Sequence, residues 1–147
     1  MTTIGIKLDG MAQLLGQLKA LGADTDDVVL ETITDLVTDT HAFAVSGINS
    51  GGGGRTYQKS NPTRTHTASA PGSYPATDTG RLVSSVRMIL PNVGSMTGEV
   101  GTAVKYGAWL EFGTSRMAAR PWLLPSFERA KIGIEKELKL RIEAMVK

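Results

Sequence analysis

A chain of 147 residues with 41% hydrophobic side chains is long enough to bury one sizeable core, and a mean hydropathy of −0.06 fits a soluble globular protein. It has no cysteine, which excludes disulfides, thiolate chemistry and Cys-ligated zinc, and no apolar run nears the roughly 20 residues that span a bilayer. The net charge of +2 hides an asymmetry: residues 1–54 carry seven acids against two bases, residues 55–120 eight bases against three acids. Such opposed portions suit head-to-tail association with copies of the same chain, or are two solvated faces. The start MTTIGIKLDG shows no secretory pattern, and the lack of cysteine suits a cytoplasmic product, as it does many other proteins.

In chain order, Ile4, Ile6 and Leu8 alternate as in a short strand. Met11, Leu14, Leu15, Leu18 and Leu21 fall at helical spacing, with Gly22 as a C-cap. Asp24 is placed to cap a second helix, with Asp26 and Asp27 favoured by the dipole in its first turn. That helix is predicted to reach Ser46 and stop at Gly47, with Val29, Ile33, Leu36, Val37, Phe43 and Ala44 as its apolar stripe.

Between Gly51 and Thr79 hydrophobic periodicity disappears, so a long flexible loop is expected, ordering against a neighbour in an assembly. From Leu82 a strand pattern returns, with Val86, Met88 and Leu90 alternating. Pro91–Gly94 reads as a turn, and Val100, Thr102, Val104 and Tyr106 alternate again, which makes a hairpin. A helical turn over Gly107–Phe112 should end at Gly113. A last helix, starting at Pro121 or Pro125, carries Phe127, Ala130, Ile134, Leu138, Ile142 and Met145 on one stripe. The sum is one α+β domain over 1–147: a small antiparallel sheet packed by two to three helices, with a long excursion at about 51–79.

Chemistry is hard to find. Gly51–Gly54 before Arg55 and Thr56 lacks the spacing of a phosphate loop and reads as a hinge. His41 and His66 have no ligand pair at metal spacing, and Asp78 and Glu111 are too isolated for paired carboxylates. No catalytic residue, cofactor or metal is therefore expected, and the chain reads as a non-enzyme. Arg55, Lys59 and Arg64, with Tyr57 and His66, offer a basic loop able to contact nucleic acid.

The densest stretch is Tyr106–Pro125, YGAWLEFGTSRMAARPWLLP, which holds both tryptophans. In one reading Trp109 and Trp122 are core, Gly113 makes a turn and an arginine pairs with Glu111. In the other, the stretch is a corner at a subunit interface, where Trp and Arg are typical anchors.

Four phrases stand in order: Gly54-Arg55-Thr56-Tyr57, His66–Pro75 (HTASAPGSYP), Asp78–Val86 (DTGRLVSSV) and Tyr106–Leu123. Together they cover about half the chain, and their order resembles that in the neck and tail-completion proteins of long-tailed bacteriophages. Tyr74 stands where a small residue or proline is commoner in that family, and Ala118 where proline is frequent. The resemblance implies a structural virion protein, made in the host cytoplasm, that forms a homo-oligomeric ring at the head–tail junction. Its partners would be copies of itself, the head-completion or connector protein, and the tail terminator or tail tube, with passing contact to genomic DNA and no membrane. The interface residues it implies are Arg55, Tyr57, Tyr106, Trp109, Glu111, Phe112, Arg116, Arg120 and Trp122. A nucleic-acid-binding module using 55–66 and a tail terminator are the alternative readings.

Overall fold

The computed structural model describes residues 4–7, 25–61 and 63–145. The expected helix over Met11–Leu21 and the Asp24 cap lie outside these residues.

Helix α1 spans Thr25–Ser50, with Asp26 and Asp27 in its first turn, where the helix dipole favours carboxylates. Its apolar stripe splits between two partners. Val29, Ile33, Val37, Ala44 and Ile48 pack in the main core with Leu82, Val86, Val100, Trp122 and Leu123. Leu36 and Phe43 instead meet Phe127, Ala130 and Ile134 of the last helix, α4 (Leu124–Met145). Near its C-terminal end α4 is pinned to the start of α1, because the Arg141 guanidinium pairs with Glu31 at 2.9 Å and Asp35 at 3.5 Å. Part of the acidic charge of residues 1–54 is thus met within the chain.

The sequence reading ends α1 at Gly47, but the helix continues for three more residues. Glycine in a helix interior costs about 1 kcal/mol relative to alanine. Here it is required by shape: a Cβ at Gly47 would lie 2.1 Å from the Tyr74 ring. Tyr74 is fixed in that notch, with its hydroxyl 2.9 Å from Ser126 Oγ. The residue that departs from the family phrase therefore has a built seat.

A three-stranded antiparallel sheet lies against α1, in the order β1 (Ile4–Lys7), β5 (Glu99–Thr102), β4 (Arg87–Ile89). Val100 and Thr102 are buried, while Glu99 and Gly101 take the other face. The expected β4–β5 hairpin is present, but shorter. Residues Arg81–Ser85 form helix α2, so of Val86, Met88 and Leu90 only Val86 is buried. At the far end Thr102 Oγ1 accepts the Val104 N–H at 3.1 Å, which ends the strand before Val104 and Tyr106. Helix α3 (Lys105–Phe112) starts at once and stops at Gly113, whose φ of 75° favours glycine. These layers make a small α+β fold.

The segment expected to lack regular structure contains a second sheet. Strands β2 (Gly53–Ser60) and β3 (Thr63–Ser69) pair antiparallel, with Tyr57 opposite His66 and Lys59 opposite Arg64. Thr63, Thr65 and Thr67 alternate with Arg64 and His66, a period of two written in threonine and basic residues instead of apolar ones. The strands are mostly exposed, so the pair is an arm on the surface and not part of the core.

Candidate assembly surface

Glu111 organises the C-terminal phrase. It is only 7% exposed, and its carboxylate accepts three backbone N–H groups: Trp122 at 2.7 Å, Leu123 at 2.8 Å and Leu124 at 2.9 Å. Those are orphan donors at the entrance to α4, and a negative charge there is stabilised by the helix dipole. An arginine partner for Glu111 was one sequence reading; its oxygens are instead committed to backbone, so as a surface anchor it is corrected.

Trp122 follows the core reading and not the interface one. It is 0% exposed, sits in the main core and donates its indole N–H to the Gly107 carbonyl at 3.0 Å. Glycine at 107 is required by Thr102, whose methyl would lie 2.6 Å from a Cβ there; the indole, at 3.7 Å, would be in ordinary contact. Between Gly113 and Pro121 the chain doubles back. Thr114 and Met117 form a bridge, and the Arg120 N–H reaches the Leu110 carbonyl at 2.7 Å. Arg120 also donates Nε–H to the Ser69 carbonyl at 3.1 Å and an Nη1–H to the Ala118 carbonyl at 3.0 Å. It is a staple between this corner and the foot of the arm.

What the corner leaves outside is aromatic. Trp109 is 55% and Phe112 76% exposed, and three positions apart on α3 they share a face. Arg116 is exposed on the returning loop. Tyr106 is half-buried and lines a cleft of about 290 Å³ with Ile48, Asp78, Leu82 and Leu110; burial raises its phenol pKa. Arg55 and Tyr57 lie on the arm, a separate element, where Tyr57 meets His66 edge-on with ring centroids 5.5 Å apart. Of the nine expected interface residues, then, Glu111 and Trp122 are internal, Arg120 is a staple, Tyr106 is half-buried in the cleft, and Trp109, Phe112, Arg116, Arg55 and Tyr57 reach solvent.

Asp78 has a role the sequence reading missed. Its carboxylate takes a Lys59 hydrogen bond and an Arg64 ion pair, and its carbonyl accepts Arg64 Nη1–H at 2.9 Å. His66 Nδ1 lies 3.8 Å from the same carboxylate. The Lys59 hydrogen bond, helped by the Arg64, Lys59 and His66 charges, holds the Asp78 carboxyl below the ordinary aspartate range against a desolvation that raises it. A lowered carboxyl pKa contributes stability above the ordinary value and loses it as pH falls through the lowered one, so this contact is fully made at neutral pH. Two of the three bases offered to nucleic acid are thereby matched within the chain.

No helix of the described residues is long and apolar enough to cross a membrane, and among them no group of three or more His, Asp or Glu is placed to hold a metal ion. No family model, no characterised protein and no solved structure matches the chain.

Proposed function

We propose that the chain is a structural virion protein of the neck and tail-completion kind, assembling as a ring at the head–tail junction of a long-tailed bacteriophage. The four ordered phrases motivate this reading. The observation that carries it is the aromatic pair Trp109 and Phe112, held out to solvent on a helix whose end is fixed from within by Glu111 and Trp122.

Exposing two large aromatic rings is unfavourable in an isolated subunit and favourable where a partner covers them. A rigid support lowers the ordering cost of binding, as anchors at an interface centre require. Identical heterologous contacts around an axis then close a ring. The head-completion or connector protein and the tail terminator or tail tube would meet its two faces, and DNA would pass through without a specific site.

Purified protein should give closed rings of one stoichiometry in negative-stain electron micrographs, alone or with the portal-side and tail-side proteins of its phage. A chain that stays monomeric in every such mixture would rule the reading out.

A further inference from the structure

We propose that the β2–β3 hairpin is an exchangeable arm, which leaves Asp78 of its own chain and docks through Lys59 and Arg64 on Asp78 of a second copy. The inference rests on the ring-forming reading and names the contact that would link its subunits.

Three observations carry it. First, the arm is complete in itself: its strands pair with each other, their faces bear threonine, serine, glutamine and basic residues with one exposed aromatic, Tyr57, and they contribute no residue to the apolar core. Second, both legs pass through a glycine at left-handed φ, Gly53 at 84° and Gly72 at 79°, with nothing within 4 Å of where a Cβ would stand. Packing does not demand glycine at either point; the positive φ favours it, and because glycine reaches other φ values without a Cβ penalty, each leg can turn there. Third, above its foot, where Arg120 holds the Ser69 carbonyl, the arm's basic face is fastened by Asp78 alone, through a partly exposed carboxylate and its backbone carbonyl, and ion pairs open to solvent contribute little to holding a segment in place.

Every copy carries the same arm and the same Asp78. Moving the arm to a neighbour therefore remakes each polar contact in trans, which is why exchange of identical elements is a low-cost route to oligomers. It also links subunits in one direction only, arm to acceptor, as a ring needs.

Charge reversal separates the two arrangements. One chain carries Asp78→Arg, a second carries Lys59→Asp and Arg64→Asp, and a third carries all three changes. Circular dichroism checks that each is folded, and native mass spectrometry reads assembly. Exchange predicts that the wild type and the triple variant assemble, that each partial variant alone does not, and that an equimolar mixture of the two partial variants forms oligomers containing both. If the wild type assembles and the mixture is no better than its components, or if the partial variants assemble normally, the arm stays on its own chain while the ring reading survives. A wild type that never assembles removes both.

Discussion

Trp122→Ala is expected to lower the unfolding free energy by about 3–5 kcal/mol, the usual range for truncating a buried aromatic side chain. The indole is fully buried where α1, α2, β5 and α3 converge on the start of α4, so the cavity left behind has walls on every side. The loss is not purely apolar. The Gly107 carbonyl, inside α3, also accepts the indole N–H, and that hydrogen bond goes with the ring. Trp122→Phe should therefore recover much of the packing but not the hydrogen bond, and fall between alanine and the wild type. Urea unfolding followed by circular dichroism checks both values. A Trp122→Ala loss below about 1 kcal/mol would mean that the ring does not fill the core as described.

Glu111→Ala should cost a similar amount, about 3–5 kcal/mol, by a different mechanism. No large cavity is made; instead three N–H groups, two of them buried, lose a charged acceptor together. Hydrogen bonds to charged groups are worth about 1.5–3 kcal/mol each, but these three share one carboxylate and the part-buried Leu124 N–H can turn to water, so roughly two bonds' worth is lost, the favourable charge at the helix entrance included. Glu111→Gln separates these contributions. Its single carbonyl can keep Trp122 and Leu123, which share Oε2, while its amide presents a donor where Leu124 needs an acceptor. About half the alanine loss is expected for it, again by urea unfolding. A neutral Glu111→Ala would show that water satisfies those donors and that the carboxylate does not hold the corner.

The helices were the most legible elements, because both long ones carry an apolar stripe at helical period, buried in α1 at Val29, Ile33, Leu36, Val37 and Ala44 and in α4 at Ala130 and Ile134. The β4–β5 turn and the stop at Gly113 were also readable, since Asn92, Gly94 and Gly113 have local effects: Asn92 Oδ1 accepts the Gly94 and Ser95 N–H groups, and Gly113 takes its left-handed φ. The failures share a cause, which is that the deciding partner lies far along the chain. Gly47 looks like a helix stop until Tyr74 is seen resting on it. Glu111 looks like a surface acid until residues 122–124 return to it.

The β2–β3 arm was hidden for another reason. Neither of its faces is buried in a core, so its alternation runs between threonine and basic residues, and a search for apolar periodicity passes over it. Composition could show that Tyr106–Pro125 was unusual, but not which tryptophan faces inward. That follows from α3: Gly107 lies on its core side, and Trp109 and Phe112 on the other.

Trp109 and Phe112 are expected to face a neighbouring subunit from a support stiffened from within, and sedimentation velocity of the wild type beside a Trp109→Ser, Phe112→Ser double variant checks this. The wild type should sediment as a single closed oligomer, and the double variant should unfold at the same urea midpoint yet sediment as a monomer. A double variant that assembles as the wild type does, with its stability unchanged, would show that the aromatic pair does not join subunits.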